Sequence, residues 1–184
     1  MTGFAGRLQT AIKFEDQLIE RLNATGWQAF HFGQSQLPEA CRAYLTRFED
    51  GSRRPALIRW MPDVITFRQY PNGRVFVALL DAKVCGDRPN YAIEMSAAET
   101  AEVFTDKLYT PTFFAFDDWR VLTPREVRQR GRMGPAPVNG SGTPYYLVEK
   151  RYSRPFADVF PPAKPVVLCR GSTWTTDSAV TPKH

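Results

Sequence analysis

The sequence predicts an α/β domain with its elements in the order helix, strand, hairpin, helix, strand. Three observations lead there. A helical apolar repeat opens the chain, two strand-like runs flank Pro71-Asn72-Gly73, and a second helical run is followed at once by a short, almost wholly apolar run. At 184 residues, with 43% hydrophobic and 13% aromatic side chains, the chain suits one core with an extension.

The first element is a helix. Leu8, Ala11, Ile12, Leu18, Ile19 and Leu22 recur at helical spacing from about Phe4 to Ala24, and Thr25-Gly26 ends the run. At ~100° per residue, Glu15 falls inside this apolar stripe rather than on the polar face with Asp16 and Glu20. A carboxylate there either turns inward to a partner, or snorkels from the edge of the stripe or pairs with an arginine. Trp27 to Phe32 reads as the first strand, with His31 a packing residue within it.

An insertion follows. Leu37 to Phe48 reads as an amphipathic helix, with Pro38 in its first turn and Cys41, Tyr44, Leu45 and Phe48 on one side. Gly51-Ser52-Arg53-Arg54-Pro55 is then an exposed basic loop. Arg53, Arg54 and Arg59 stand just before Pro62-Asp63, either to hold the phosphates of a bound strand or simply as a solvated cluster.

The next two strands carry the chemistry. Pro71 has its φ fixed near the value wanted at the first central position of a type I turn, so Pro-Asn-Gly makes a three-residue loop with Gly73 at positive φ. Tyr70 then faces Arg74, Asp63 faces Asp81, and Lys83 shares their face. A two-residue loop would send Asp63 to the other side. Two carboxylates ~5 Å apart repel by roughly 3 kcal/mol at an effective dielectric of about 20, more than one lysine can quench. Such oxygen ligands suit Mg²⁺, which takes one or two carboxylates and keeps several waters.

Pro62-Asp63, seventeen residues, then Asp81-Ala82-Lys83 resembles the PD-(D/E)xK signature of the restriction-endonuclease-like nuclease superfamily. Glu15 is similar in position to the first-helix glutamate that points at the metal site in the Holliday-junction-resolvase-like branch, and Gly26-Trp27 opens the following strand much as in those resolvases. The resemblance implies a restriction-endonuclease-like αβββαβ core, a mixed central sheet flanked by helices. It also implies Mg²⁺ or Mn²⁺ held by Asp63, Asp81 and the Ala82 carbonyl, with Glu15 bound directly or through water and Lys83 orienting or polarising a water nucleophile. DNA is the implied partner, and a homodimer would present two sites to a four-way junction. Many relatives carry a glutamine or lysine on the helix after the signature. This helix offers Glu99, Glu102 and Lys107, which leaves that role unassigned.

Beyond Lys83, Gly86 to Asn90 reads as a loop, and Ser96-Ala97-Ala98-Glu99 as a capping box opening a helix to about Tyr109. Thr112 to Phe116 suits a buried strand that Trp119 to Leu122 continues or pairs with. Thr123-Pro124-Arg125-Glu126 caps a further helix, along which Arg125, Arg128 and Arg132 line one DNA-facing side until Gly131 and Gly134 end it. Gly134 to Pro144 is a linker by composition. Tyr145 to Tyr152 is a late strand, an added edge or a dimer contact, and the proline-rich chain from Pro161 reads as poorly ordered. The division is a nuclease core over 1–122 with its insertion at about 33–56, a basic segment over 123–160 and a tail over 161–184.

Composition narrows the function classes. The net charge of +5 splits into −2 over residues 1–119 and +7 over 120–184, so the carboxy-terminal third is suited to a phosphate backbone. Cys41, Cys85 and Cys169 indicate neither a disulfide framework nor a zinc knuckle, and the two histidines leave little material for a histidine metal site or a Ser-His-Asp triad. The absence of a long apolar run and of a charged-then-apolar leader gives a cytoplasmic expectation. Three classes stay open: a metal-dependent DNA endonuclease acting on branched DNA, a repair exonuclease or restriction-type enzyme of the same fold, and a DNA-binding protein without the chemistry. The joint presence of Glu15, Asp63, Asp81 and Lys83 speaks against the last.

Overall fold

The computed structural model describes residues 4–39, 41, 58–134 and 144–163. Helix α1 (Phe4–Ala24) has 21 residues, and Phe14, Leu18 and Leu22 are buried along it. Ile12, expected in the same stripe, is 47% exposed. A helix of this length spans ~31 Å, and strand β1 (Gln28–His31) follows it; among the described side chains, those buried along the helix lie from Phe14 onward. The helix closes on Gly26 at φ +82°, a left-handed cap that favours glycine, with the Trp27 amide donating to the Leu22 carbonyl at 3.1 Å.

Strands β2 (Val64–Gln69) and β3 (Val75–Lys83) form the expected hairpin. The Tyr70 amide donates to the Arg74 carbonyl at 2.8 Å, and the Gly73 amide donates to the Tyr70 carbonyl at 2.9 Å with Gly73 at φ +79°. Asn72 Oδ1 accepts from the Arg74 amide at 3.1 Å. This is the three-residue loop, and the register follows from it: Gln69 pairs with Val75 and Val64 with Leu80, so the next step sets Asp63 opposite Asp81.

The chain continues through β4 (Asn90–Glu94), α2 (Met95–Asp106), β5 (Thr112–Phe116), β6 (Arg120–Leu122), α3 (Pro124–Arg130), β7 (Arg132–Gly134), β8 (Tyr145–Glu149), β9 (Arg154–Pro155) and α4 (Phe156–Val159). The main sheet has the order β1-β2-β3-β5-β6-β9, with β5 parallel to β3 and every other pairing antiparallel. Helix, strand, hairpin, helix, strand is the αβββαβ order expected. All five β5 residues are buried. Phe113 and Ala115 join Leu18, Leu22 and Trp27 beneath α1, while Phe114 and Phe116 join Tyr91, Ile93, Ala97 and Ala101 on the other face. A strand covered on both faces reads as an unbroken apolar run for this reason.

Several local expectations give way. Asn90–Glu94 is a strand, and Tyr145–Glu149 pairs with it on one side and with β7 on the other. The late strand is therefore the middle of a separate three-stranded sheet, with both of its edges taken. Helix α2 begins at Met95, because β4 feeds straight into it with Glu94 at the N-cap position. Ser96 thus lies inside the first turn rather than in a capping box. The helix stops at Asp106, and Tyr109 stands beyond it at φ +53°. Helix α3 does carry the Thr123–Glu126 capping box with Pro124 at its first turn, but it ends at Arg130. Gly131 is extended so that β7 can pair with β8, which moves Arg132 into a strand and off the helical face of Arg125 and Arg128.

The segment after β8 folds back onto the main sheet through β9, and Phe156 and Phe160 are buried with the α1 core. The Pro161 carbonyl accepts from Trp27 Nε1 at 3.1 Å and from Arg68 Nη1 at 2.8 Å, and the Ala163 amide donates to the Thr25 carbonyl at 2.8 Å. The tail expected to be poorly ordered from Pro161 is thus tied down through Ala163. Residues 164–184 lie outside the described residues, as do linker residues 135–143 and insertion residues 42–57, including Arg53 and Arg54. Among the described residues no helix is long and apolar enough to cross a membrane.

Candidate functional site

Strands β2 and β3 part where β2 begins and β3 ends, and the cause is Pro62. In the hairpin register this buried proline lies opposite Ala82, and it has no N–H to give the ladder. The Ala82 amide is taken instead by Asp63 Oδ2 at 2.9 Å, and Pro62 supplies no ladder donor to the Ala82 carbonyl. The Asp63 backbone is held on both sides: its amide donates to the Leu80 carbonyl at 2.9 Å and its carbonyl accepts from the Phe32 amide at 2.7 Å. Gly33 closes the approach from β1 at φ +75°, and a Cβ there would stand 2.5 Å from the Pro62 carbonyl.

Asp81 is buried, and its Oδ1 lies 2.9 Å from Lys83 Nζ. On its other side Lys83 Nζ is 3.3 Å from Oε2 of Glu94, the last residue of β4. Glu94 was not among the residues expected here. The alternation of Tyr91 and Ile93 with Asn90, Ala92 and Glu94 is the sequence signal that would have extended the chain past the loop and returned it to the site.

Glu15 does turn inward from α1, with its side chain 14% exposed and Oε2 3.8 Å from His31 Nδ1. His31 Nε2 meets Asp16 Oδ1 at 3.0 Å. The strand-packing role expected for His31 is therefore corrected. Ala29 and His31 turn toward α1 in alternation, and at the end of the strand the imidazole leaves the core and bridges two acids of the helix.

The electrostatics of this corner are unbalanced. Burial, with Asp16 and Asp81 adding to it against Lys83, pushes the Glu15 carboxyl up to about 7. Burial pushes Asp81 up to about 7, with Asp63 and Glu94 adding and Lys83 opposing. Burial likewise raises Asp63 to about 6, where Lys83 and the Ala82 amide oppose the rise and Glu15 adds to it. Lys83 moves the opposite way from most buried amines. Burial favours its neutral form, but Asp81, Glu94 and Asp63 outweigh that and hold it as an ammonium. One ammonium thus stands among four carboxylates, and a further cation would relieve the excess negative charge.

The donor set fits a hard divalent ion. Asp63, Asp81 and the Ala82 carbonyl offer oxygen from adjoining backbone positions, and Glu15 offers a third carboxylate from α1. Among the described residues no three His, Cys, Asp or Glu side chains are already gathered as a metal cage. Mg²⁺ needs none, since one or two carboxylates and several waters satisfy it.

The basic residues are more dispersed than the acidic ones. Arg59 lies three residues before Pro62, its guanidinium 5.5 Å from the Trp60 ring centroid. Arg125 is exposed at the start of α3 and Arg132 is exposed on β7. Arg128 is exposed too, but its Nη1 is tied to Glu102 Oε2 at 2.7 Å. The structure thus brings together Glu15, Asp63, Asp81 and Lys83, and it does not gather Arg125, Arg128 and Arg132 on one helix face.

No protein-family model matches this chain, and no curated protein sequence matches it. Among solved structures it is similar to Hjc, a Holliday junction resolvase from the archaeal hyperthermophile Archaeoglobus fulgidus, with a TM-score of 0.48 and 13% identity over 81% of this chain and 98% of that one. It is also similar to D212, a nuclease from a fusselovirus, with a TM-score of 0.44 and 10% identity over 87% of this chain and 91% of that one.

Proposed function

We propose that this chain is a metal-dependent DNA endonuclease that hydrolyses phosphodiester bonds, with branched DNA such as a four-way junction as its substrate class. The observation that carries this reading is the Asp63–Asp81–Lys83 corner, where a half-buried and a buried carboxylate and an ammonium meet at the parting ends of β2 and β3 with Glu15 alongside. With Glu15, Asp63, Asp81 and Glu94 ionised against Lys83 alone, the corner repels a phosphate. It becomes a phosphate site only when cations neutralise it.

Mg²⁺ or Mn²⁺ bound by Asp63, Asp81, the Ala82 carbonyl and Glu15 would supply Lewis-acid charge on the scissile phosphate and lower the pKa of a coordinated water. The protein's own groups do the rest. Asp63 and Asp81 must be ionised to bind, and the Ala82 amide helps keep Asp63 so. Lys83, a permanent ammonium, donates a hydrogen bond to a phosphate oxygen or to the attacking water and offsets charge that grows as the new P–O bond forms and the old one breaks. Arg59 before the signature and Arg125 on α3 hold phosphates of the strand, and paired chains would make the two cuts that a junction requires.

Parallel cleavage of a four-way junction, a flap, a linear duplex and single-stranded DNA with Mg²⁺ or Mn²⁺ tests the reading. Symmetric cuts in the junction are expected. Preference for ends or for one duplex sequence would instead assign a repair exonuclease or a restriction-type enzyme, and binding without cleavage would assign a DNA-binding protein. Arg125→Glu is expected to weaken DNA binding about equally on every sequence and to lower the salt slope by about 1. Arg128→Glu should do less, because Glu102 already holds that guanidinium. An unchanged slope in Arg125→Glu would remove α3 from the DNA face.

A further inference from the structure

We propose that Glu94 is a positioning residue of this site, a second anchor that keeps the Lys83 ammonium in place when the Asp81 carboxylate is engaged by a cation; its purpose rests on the nuclease reading above. The geometry begins with where Glu94 comes from. It ends β4 in register with Tyr145 of β8, and it is also the residue from which α2 starts. The second sheet and α2 therefore set it, independently of the β2–β3 hairpin that sets Asp63 and Asp81.

Glu94 stands at the N-cap of α2 but makes no bond to an amide of the first turn, a task suited to the shorter Ser, Thr, Asp or Asn, so its carboxylate is free for other partners. Its Oε1 accepts from the Tyr145 hydroxyl at 3.4 Å. Its Oε2 is shielded from solvent and has no hydrogen-bond donor among the described residues; what it faces is Lys83 Nζ at 3.3 Å. An under-satisfied buried carboxylate is unfavourable, so the arrangement makes sense if that oxygen serves the lysine.

Asp81 has two competing partners. In the structure it binds Lys83 at 2.9 Å, but as the best-buried carboxylate facing Asp63 it is also the natural ligand for a cation. A cation and an ammonium on the same carboxylate repel each other, and a lysine released from its anchor regains the freedom of a flexible four-carbon stem. Glu94 supplies the anchor that is not itself a member of the Asp63–Asp81 pair. Lys83 can then stay within reach of the reacting phosphate instead of following Asp81 or swinging to solvent.

The test follows the side-chain ammonium resonance of Lys83 in the full-length protein, titrated with Ca²⁺ as a hard divalent probe, in the wild type, Glu94→Gln, Asp81→Asn and the double variant. Wild type should keep a sharp resonance with and without Ca²⁺. Glu94→Gln should keep it only without Ca²⁺ and lose it on saturation, with its Ca²⁺ affinity lowered by no more than about 10–100-fold, the cost of losing a group that supports ligands without being one. Without any cation, Asp81→Asn should keep the signal and the double variant should lose it. In Mg²⁺-dependent cleavage, Glu94→Gln should lower kcat by about tenfold to a hundredfold at little change in KM. A Lys83 signal as sharp in Ca²⁺-loaded Glu94→Gln as in wild type overturns the proposal, and so does a loss of Ca²⁺ affinity as large as that of Asp81→Asn, which would make Glu94 a ligand. If wild type binds no divalent ion and cuts no DNA, the nuclease reading fails, while the cation-free comparison of Asp81→Asn with the double variant still decides whether Glu94 anchors Lys83.

Discussion

Asp81→Ala is expected to lower Mg²⁺-dependent cleavage by roughly 10³-fold or more, the several kcal/mol that a positioned cation contributes to a transition state. Lys83→Ala should do comparable damage, and both variants should keep DNA binding. The two differ in what they do to the fold. Asp81 is a buried carboxylate whose ionised form is already disfavoured by burial and by Asp63 opposite. Removing it takes away repulsion, and Lys83 keeps Glu94 at 3.3 Å, so Asp81→Ala should melt no lower than wild type beyond the small loss of side-chain volume. Lys83→Ala leaves Asp81, Glu94 and Asp63 without their shared counter-charge. Breaking a buried pair from one side costs about 3–5 kcal/mol, part of which the carboxylates escape by taking up protons. The lysine variant should therefore melt well below wild type near neutral pH and recover part of the loss in Mg²⁺. Single-turnover cleavage, DNA binding in Ca²⁺ and thermal melts together separate the two expectations. Cleavage undiminished in both variants would remove this corner from the chemistry.

What the residues revealed in advance was the part of the site fixed by local rules. Pro71-Asn72-Gly73 dictates its own turn, the turn dictates the register, and the register dictates that Asp63 meets Asp81, each a short-range consequence of backbone sterics. Glu15 was legible because a helix repeats every few residues, so a charged side chain in the apolar stripe is conspicuous. Glu94 was not legible. It reaches Lys83 only because β4 joins a second sheet whose central strand is more than fifty residues away, and no local rule links Glu94 to Tyr145. Arg132 was misplaced for a related reason. Helical spacing alone runs on through Gly131, whereas pairing between β7 and β8 pulls the chain straight there. The strand pattern around His31 carries no trace of the helix that supplies Glu15 and Asp16.

The same unbalanced corner sets how stability responds to pH. Without divalent cations, the protein should lose stability as pH rises from about 4 toward about 7. Glu15 and Asp81 titrate at about 7 and Asp63 at about 6 in the folded chain, all above the ordinary values of 4.5 and 3.8 for these side chains. Between those limits the folded state holds protons that the unfolded chain has released. A state that binds more protons loses ground as pH rises, here by up to about 1.4 kcal/mol per pH unit for each fully displaced group. Lys83 does not enter this window. Its folded value is raised above 10.5, so its contribution is complete below the unfolded value and is lost only at higher pH. A divalent ion binds the ionised carboxylates, so its stabilisation should be larger near pH 8 than near pH 5, where it must first displace protons. Melting temperatures across this range, in chelator and in Mg²⁺, provide the measurement. The chelator curve should fall and the Mg²⁺ curve should flatten or rise, while Asp81→Asn should reduce both the fall and the response to Mg²⁺. A chelator curve that climbs through the window as steeply in wild type as in Asp81→Asn would mean that these carboxylates are ionised and comfortable in the folded chain, and the electrostatic reason for placing a cation among them would disappear.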